Sequence, residues 1–401
     1  MFLYIFIVWL ASIFGHRKAR ELFRGQRCAL DYLRTNLLSV HPHNERIWIH
    51  VASVGEFEQA RPIIERLRAE HPDVQIVLTF FSPSGYNLRK NYDKVDAVTY
   101  LPFATRRNAR MFLDAVQPDK AIFVKYEFWP AYLKELKKRN IPAYSISAIF
   151  RPSQAFFRWW GKPYLNILKI FRAIYVQDKQ SADLLRMYGV EQVEVAGDTR
   201  FDRVHAIAQQ AKQIPQLERF VEGRKVIIAG STWEPDEKML ARYIETHPDV
   251  ALVIAPHEIH EAHLHRIFQL FEGRYVRFTE ATMKNLDVVR VLVVDTIGLL
   301  SSIYRYGDVA YIGGGFGVGI HNTIEAAVFG MPVIFGPNYK HFREACALIE
   351  AGGGFSVRNY RELETLLDQT DDEHKLQGQK ASEYVKSELG ATDKIYNKLF
   401  V

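Results

Sequence analysis

Short apolar runs alternate with stretches of helical periodicity along most of the chain. The runs are rich in Val, Ile and Ala, as is typical of buried strands, and the segments between them, such as 59–70 and 131–138, repeat apolar residues at helical spacing. This alternation predicts parallel sheets with helices on both faces. The predicted strands are residues 47–51, 75–80, 97–100, 121–124, 143–147, 173–176, 193–195, 226–229, 251–255, 275–278, 291–294, 309–312, 333–335 and 355–357.

A length of 401 residues exceeds what one hydrophobic core usually organises, so two domains are expected. The segment 202–223 is polar and precedes a new strand, which places the domain junction there. We predict an N-terminal segment over residues 1–30, a Rossmann-like domain over residues 31–203 and a second one over residues 204–401, whose last helix could pack back on the first. Parallel sheets bind ligands at the carboxyl ends of their strands, so a cleft between two such domains would suit group transfer from a nucleotide donor.

The N-terminal residues MFLYIFIVWLASIF hold no charge, and a basic stretch that includes Arg17, Lys18 and Arg20 follows at once. A transmembrane helix needs roughly 20 apolar residues, and a signal peptide has its positive charges before the apolar run, so neither fits. The pattern predicts a short membrane anchor or an interfacial helix, with the body of the protein on the cytoplasmic side. A buried N-terminal helix of a soluble domain is the alternative.

Composition narrows the possible partners. Hydrophobic residues make up 48% and charged residues 24%, as in ordinary globular proteins, and the net charge of +6 fits a membrane surface or an anionic substrate. Basic and aromatic residues are not interleaved as in single-strand binding proteins, so no nucleic acid partner is expected. Cys28 and Cys346 form neither a metal cluster nor a disulfide framework, which indicates a reducing compartment.

The segment 308–337 has the pattern of a nucleotide-type site. An apolar strand runs into the glycine-rich turn GGGFGVG, after which we expect a helix to open at His321-Asn322 with Glu325 one turn in. Glycines admit a ligand and leave amides free, and a helix N-terminus favours a phosphate. An ordinary N-cap is the alternative, and the glycine spacing does not match the dinucleotide fingerprint.

Other polar groups follow strands of the second half and are expected at the same sheet edge, where hydroxyls, amides or a ring could contact a phosphate or a base. They are Ser231, Thr232, Pro256, His257 and residues 295–298.

Four histidines at positions 257, 260, 263 and 265 suggest zinc at first sight. Their spacing does not match His-Glu-x-x-His, and most of the segment has the pattern of a surface helix. No metal site is therefore expected.

Three charged residues of the first half lie at predicted strand ends or near the junction. Glu56 opens a helix whose N-terminus should favour its ionised form, so it could accept a proton, and a routine helix-start carboxylate is the alternative. Glu127 follows the strand 121–124, and a capping or solvated carboxylate is its alternative. Arg200 could contact an anion across the cleft or form an interdomain salt bridge.

Taken together, these motifs resemble those of the Kdo transferases, the 3-deoxy-D-manno-octulosonic acid transferases of lipopolysaccharide assembly. They occur in family order over nearly the whole chain, starting with the N-terminal apolar segment and its basic flank. The further matches are ASVGE (52–56), EFWP (127–130), GDTRFD (197–202), GST (230–232), DTIG (295–298) and HNTIE (321–325).

The resemblance implies a GT-B fold and an inverting transfer of Kdo from CMP-Kdo to a lipid A precursor at the cytoplasmic face of the inner membrane. It implies no metal and no cofactor. Glu56 would be the proton acceptor, and Glu127 and Arg200 would support the transition state. Contacts to CMP would come from Pro256, His257, Ile297, Gly298, Leu299, Asn322, Thr323, Ile324 and Glu325, with Ser231 and Thr232 as further donor contacts.

The chain departs from the family pattern at several positions. Arg200 stands where lysine is common, His257 where arginine is frequent, and Leu299 where an acidic residue is frequent. Lys125 stands where glutamate is frequent, and residues 150–151 replace a different run. These changes affect contact geometry rather than the reaction class. Two alternatives stay open, namely another GT-B enzyme that uses a UDP-sugar and a non-catalytic, membrane-attached nucleotide-binding scaffold.

Overall fold

The computed structural model describes residues 2–37, 44–317 and 319–401. The chain forms two compact units. The first unit extends to Arg203 and also contains Leu389–Val401, and the second unit comprises Val204–Glu388. Within the described residues each unit is built on one seven-stranded parallel sheet with helices, which confirms the doubly wound α/β class.

Strands β1 to β7 form the sheet of the first unit, and strands β8 to β14 form that of the second. Their bounds are β1 Arg46–Val51, β2 Gln75–Phe80, β3 Ala97–Tyr100, β4 Lys120–Val124, β5 Ala143–Ala148, β6 Ala173–Val176, β7 Val193–Val195, β8 Lys225–Thr232, β9 Val250–Pro256, β10 Tyr275–Arg277, β11 Val291–Val293, β12 Val309–Ile312, β13 Val333–Phe335 and β14 Gly354–Ser356.

Helices precede, connect and follow these strands. Their bounds are α1 Phe2–Ile13, α2 Arg17–Leu37, α3 Val54–Glu70, α4 Pro83–Arg89, α5 Arg106–Val116, α6 Pro130–Lys138, α7 Lys162–Leu168, α8 Lys179–Met187, α9 Thr199–Gln209, α10 Pro215–Val221, α11 Glu234–Thr246, α12 Glu261–Leu270, α13 Met283–Leu286, α14 Leu300–Ile303, α15 Ile324–Ala327, α16 Arg343–Ala351, α17 Tyr360–Leu367, α18 Asp371–Ser387 and α19 Ala391–Phe400.

Each sheet has a point where the strand order reverses. The first has the order β3-β2-β1-β4-β5-β6-β7, and the second has the order β10-β11-β9-β8-β12-β13-β14. In the first sheet, β2 and β3 lie on one side of β1, and β4 lies on its other side. In the second sheet, β9, β10 and β11 lie on one side of β8, and β12 lies on its other side. Ligands of open parallel sheets bind outside the carboxyl ends of the strands at such switch points.

The first sheet has a densely packed interior that holds its strand ends in place. Every residue of β2 is buried, as expected of a strand covered on both faces. Trp48 of β1 is fully buried, and its ring lies 4.7 Å from that of Phe112 and 5.5 Å from that of Tyr132 between centroids. Residues at the carboxyl end of β1 therefore lie on a rigid support.

The C-terminal helix α19 packs into the first unit. Ile395, Tyr396 and Leu399 are buried in the same cluster as Ile47 and Ile63. The apolar residues at positions 395, 396 and 399 form one face of the helix.

The N-terminal helix α1 packs on α2 and also exposes apolar side chains. Val8 is buried against Leu22 of α2, whereas Phe6 and Ile7 are exposed, and Phe14, just beyond the helix, is 83% exposed. No helix in the part of the chain that the structure describes combines the length and the apolar character needed to cross a bilayer.

The strand bounds agree with the sequence expectation to within one residue, except at β8. This strand continues to Thr232, beyond the glycine and serine whose turn propensity suggested its end. It keeps pairing with β9, with an irregularity at Ser231, whose φ is 54°. Tertiary pairing therefore overrides the local turn signal.

Candidate active site

The switch point of the first sheet brings two acidic residues together. Glu56 lies in the first turn of α3, which follows β1, and Glu127 follows β4. The two are close enough for the charge of Glu127 to act on Glu56. Strand topology thus unites carboxylates that come from separate sequence motifs.

A capping arrangement at the start of α3 fixes Glu56. The hydroxyl of Ser53, the N-cap residue, accepts a hydrogen bond from the Glu56 backbone N–H at 3.4 Å. The Glu56 carboxylate in turn accepts from the backbone N–H of Ala52. The helix-start alternative for Glu56 is therefore supported, and the cap also holds the carboxyl group at the strand end, where a proton acceptor would be needed.

The pKa of Glu56 is raised from 4.5 to about 7. Burial is the largest cause, because it disfavours the charged form, and the negative charge of Glu127 acts in the same direction. Backbone hydrogen bonds from Ala52 and Ser53 and the charge of Lys125 act to lower the pKa but do not compensate. The backbone hydrogen bonds at the helix start thus favour the ionised form as expected, but burial and the Glu127 charge outweigh them. A carboxyl group that titrates near neutral pH can both accept and release a proton.

Glu127 is buried, and neighbouring side chains contact its carboxylate. Trp129 Nε1–H donates to Glu127 Oε2 at 2.7 Å, and His50 Nε2 lies 2.9 Å from the same oxygen. The solvated-carboxylate alternative for Glu127 is therefore wrong. His50, a β1 residue, was not among the residues predicted from the sequence, although a histidine inside the apolar run IWIHV is an available signal.

Arg200 pairs with Asp198 of its own unit, a partner that neither expectation anticipated. Its Nε and Nη2 lie 3.0 and 2.9 Å from Asp198 Oδ2, and Gln59 Nε2 donates to Asp198 Oδ1 at 2.9 Å. Burial raises the pKa of Asp198, but the Arg200 and Lys125 charges and the hydrogen bonds outweigh it, so the net shift is downward. Lys125 adopts φ 55°, an unfavourable conformation that is common at functional sites.

In the second unit, the glycine-rich turn follows β12 at the switch point. A Cβ on Gly313 would lie 2.4 Å from Ser231 O, and a Cβ on Gly315 would lie 2.5 Å from Gly336 N. Both positions therefore require glycine because backbone segments of the protein touch there. Close approach of a ligand is not needed to explain them.

Several backbone amides of this turn donate hydrogen bonds to other groups of the protein. Gly314 N–H donates to Asp236 Oδ2 at 3.0 Å, and this buried carboxylate also accepts from the Tyr311 hydroxyl at 2.7 Å and from Trp233 N–H at 2.9 Å. The turn amides that donate to backbone carbonyls are those of Gly313, Gly317 and Gly319. The expectation of free amides is thus wrong at these positions, while Val318 lies outside the described residues.

The helix expected to open at His321-Asn322 is the one-turn helix α15, which begins at Ile324. Asn322 Oδ1 accepts from Ile324 N–H at 3.2 Å, and Asn322 Nδ2 donates to Glu325 Oε1 at 2.7 Å. The N-cap residue is Thr323, which makes no side-chain cap hydrogen bond, so the N-cap alternative at Asn322 is wrong, although Asn322 still satisfies the Ile324 amide. So short a helix offers little dipole to a phosphate. Within the described part of the chain, the buried hydroxyl of Thr323 has no hydrogen-bond partner, which buried polar groups normally have.

Three rings stack at the same edge. The centroid of the His257 ring lies 4.8 Å from that of Trp233 and 4.3 Å from that of His321. Trp233 Nε1–H donates to His321 Nε2 at 3.3 Å. Burial, assisted by the neighbouring His257, lowers the pKa of His321 to about 4, so His321 is neutral at pH 7. His257 itself is exposed, so its ring could still contact a ligand.

The Thr232 hydroxyl is turned toward the protein interior. It donates to Glu237 Oε1 at 3.1 Å, and both residues are buried. Thr232 therefore does not offer this hydroxyl to a phosphate, and that expectation is wrong because the buried carboxylate takes it. Ser231 remains partly exposed at the strand end.

Glu258, His260 and His263 lie close enough together to be considered as metal ligands. However, His263 Nε2 lies 2.9 Å from the buried Glu237 Oε1, and Nδ1 lies 2.9 Å from the Glu258 carbonyl oxygen. The His260 ring accepts from His263 N–H at 3.2 Å as the N-cap of α12. Since both ring nitrogens of His263 have partners, the surface-helix interpretation is favoured.

The segment after β11 presents residues 297–299 at the second sheet edge. Asp295 anchors it by accepting from Arg277 Nε at 2.9 Å and from the Thr279 hydroxyl at 2.5 Å. Ile297 is 86% exposed, and Gly298 has φ 90°. An exposed, anchored segment of this kind can contact a ligand through its backbone.

Residues 26–203 match the family described as 3-deoxy-D-manno-octulosonic-acid transferase (kdotransferase). The chain is 29% identical to the 3-deoxy-D-manno-octulosonic acid transferase of Aquifex aeolicus over 80% of this chain and 84% of that protein. It is 25% identical to the enzyme of the same name from Haemophilus influenzae, over 89% of this chain and 87% of that protein.

Solved structures show the same fold at low sequence identity. UDP-GlcNAc 2-epimerase from Neisseria meningitidis bound to UDP-GlcNAc superposes with a TM-score of 0.59 at 15% identity, over 86% of this chain and 99% of that one. A further UDP-N-acetylglucosamine 2-epimerase gives a TM-score of 0.61 at 15% identity, over 89% and 96%. These likenesses support the GT-B class of the fold. By sequence, the chain is similar to Kdo transferases over residues 26–203 in the family match and over 80% and 89% of its length in the relatives from Aquifex aeolicus and Haemophilus influenzae.

Proposed function

We propose that the protein is an inverting glycosyltransferase that moves Kdo from CMP-Kdo to a hydroxyl of a lipid A precursor. The main support from the structure is Glu56 beside Glu127 at the first switch point, with a pKa of about 7. Ionised Glu56 accepts the hydroxyl proton while the acceptor oxygen attacks the anomeric carbon of Kdo. The bond from that carbon to the CMP phosphate oxygen breaks, and CMP leaves with the electron pair.

Glu127 and Arg200 are assigned to the support of the transition state. Positive charge develops at the anomeric carbon as the bond to CMP breaks, and a buried carboxylate such as Glu127 stabilises it. The Arg200 guanidinium, held by Asp198, suits an anionic group of the donor. Lys125 adds a second cation near Glu56.

We assign CMP to the edge of the second sheet at β8 and β12. Glu325, oriented by Asn322, suits the ribose hydroxyls, and the unpartnered Thr323 hydroxyl suits a polar atom of the nucleotide. Further contacts are assigned to Ser231, Pro256, His257, Ile297, Gly298, Leu299 and Ile324.

The N-terminal helix is assigned to the membrane surface. Its exposed Phe6 and Ile7 suit the acyl boundary, and the basic residues of α2 suit anionic headgroups. This attachment would hold the protein at the cytoplasmic face of the inner membrane, near a lipid acceptor.

Mass spectrometry of the lipid made from CMP-Kdo and a lipid A precursor by the purified full-length protein tests the function. We expect a product heavier by Kdo, and stabilisation in a thermal-shift assay by CMP but not by UMP or UDP. Stabilisation by UDP without Kdo transfer would instead indicate a UDP-sugar enzyme. No stabilisation by any nucleotide would indicate a scaffold.

A further inference from the structure

We infer that His50 is a positioning residue that, with Trp129, fixes the orientation of the Glu127 carboxylate at the carboxyl edge of the first sheet. The inference rests on the proposed function for its catalytic consequence. The contacts themselves are independent of that function.

A chain of side chains beneath the site ends at Glu127. Trp48 Nε1–H donates to Thr79 Oγ1 at 2.8 Å, and Thr79 Oγ1 lies 2.9 Å from His50 Nδ1. His50 Nε2 lies 2.9 Å from Glu127 Oε2. Trp48, His50 and Thr79 are fully buried, so water does not compete for these contacts.

The donors and acceptors along this chain of contacts determine which nitrogen of the His50 ring carries the proton. Thr79 Oγ1 receives a hydrogen from Trp48, so its own hydrogen can be donated to His50 Nδ1 at 2.9 Å, a shorter contact than that to the Ile49 carbonyl at 3.4 Å. With Nδ1 as the acceptor, Nε2 carries the proton and donates it to Glu127. Trp129 Nε1–H lies 3.1 Å from His50 Nε2 and 2.7 Å from Glu127 Oε2, and in this tautomer it donates to the carboxylate, the shorter of the two contacts. The alternative, in which Nδ1–H donates to the Thr79 carbonyl at 3.1 Å, would place a lone pair of His50 against the carboxylate.

Two donors therefore converge on one oxygen of Glu127. Trp129 Nε1–H supplies the second at 2.7 Å. Together they fix the orientation of the carboxylate and satisfy its negative charge in a buried setting. Glu127 in turn raises the pKa of Glu56. The orientation that His50 gives to Glu127 therefore affects the pKa of the proposed base.

Other titratable groups near Glu56 and Glu127 also influence the pKa of Glu56. Lys125 acts on Glu56 in the opposite direction to Glu127, and Tyr126 also lies within range of Glu56. No substitution at position 50 removes these groups, so its effect should report on Glu127.

The test compares His50→Asn with His50→Gln. Glutamine can place an amide N–H near the position of Nε2, whereas asparagine ends near Nδ1 and leaves Glu127 without this donor. We expect His50→Asn to lower kcat about 10–100-fold with little change in the KM for CMP-Kdo. The midpoint of the acidic limb of its pH–kcat profile should move to lower pH. The reason is that a Glu127 carboxylate no longer held in place by His50 raises the pKa of Glu56 less. His50→Gln should restore kcat to within about threefold of wild type, since it keeps one orienting donor.

A double-mutant cycle separates positioning from a general loss of structure. If His50 acts through Glu127, adding His50→Asn to Glu127→Gln should cause little further loss of kcat. Additive losses, or a His50→Asn enzyme with wild-type kcat and pH profile, would overturn the inference. Should His50→Asn not fold, Trp129→Phe removes the other donor at a partly exposed position and should shift the pH limb in the same direction.

Infrared titration of the Glu56 carboxyl band, identified by subtraction of Glu56→Gln, keeps the inference testable apart from turnover. A lower titration midpoint in His50→Asn supports it even if no Kdo transfer is found, and an unchanged midpoint contradicts it. Absence of transfer by the wild-type protein would contradict only the proposed function.

Discussion

The environment of Glu56 opposes the stability of the fold at neutral pH. Burial and the Glu127 charge give its folded-state pKa a value of about 7, compared with 4.5 ordinarily. The folded state therefore binds this proton more tightly than the unfolded state does, and stability from this group, present at low pH, is lost as pH rises from 4.5 to about 7.

Glu56→Gln should separate the proposed role of Glu56 as a base from its effect on stability. The variant should lose about 10²–10⁴-fold in kcat, because its amide accepts no proton. It should be more stable than wild type at pH 8, by about 1–3 kcal/mol, and equal to it near pH 4.5. Wild-type kcat/KM should rise with pH and level off above about 7. Transfer assays and urea unfolding at both pH values measure this, and a stability difference independent of pH would contradict the explanation.

Among the elements, the strands are predictable from sequence because strands buried on both faces read as continuous apolar runs. The beginning of α15 at Ile324 is not, because Asn322 satisfies the Ile324 amide from outside the helix. The role of Gly315 is also hidden, since it depends on Gly336, a partner beyond the next helix. Likewise, Glu56 and Glu127 can be selected from their motifs, but their pairing and the His50 contact follow from strand order.

The glycine-rich turn offers a matched pair of substitutions. A Cβ at Gly315 would meet Gly336 backbone atoms at 2.5–2.9 Å, whereas one at Gly317 would meet nothing closer than 3.7 Å. Gly315→Ala should destabilise the second unit by about 1–3 kcal/mol and weaken CMP binding, and Gly317→Ala should change either property little. Thermal unfolding and calorimetry measure both. Equal effects of the two variants would argue against backbone packing as the reason for Gly315.

The apolar surface of α1 predicts attachment to anionic bilayers. Replacing Phe6, Ile7 and Phe14 together by serine should reduce vesicle binding at least about tenfold, because their burial supplies much of the binding energy. Cosedimentation with vesicles that contain phosphatidylglycerol measures it. Serine at Met283 and Val288, two exposed apolar positions of the second unit, is the control and should leave binding unchanged. Equal binding by both variants would place the lipid contact elsewhere.

On the scale of the whole molecule, the second unit is an insertion between two parts of the first. The core of the first unit includes Ile395 of α19, so Ile395→Ala should destabilise that unit by about 2–5 kcal/mol. Lys394→Ala, at an exposed neighbouring position, should leave the stability of the first unit unchanged.

Tryptophan fluorescence can report the unfolding of the first unit alone. Trp233 is the one tryptophan of the sequence between residues 204 and 388, so replacing it by phenylalanine leaves only tryptophans of the first unit. CMP binding by calorimetry should survive Ile395→Ala, and its loss would show that the units do not unfold separately.

The return of α19 to the first unit also has a consequence for synthesis on the ribosome. The first unit cannot complete its interior until α19 has been synthesised, because Leu399 belongs to that interior. The second unit, whose residues end at Glu388, is fully synthesised earlier. Nascent chains should therefore be able to fold the second unit first, while the first unit waits for α19 to emerge.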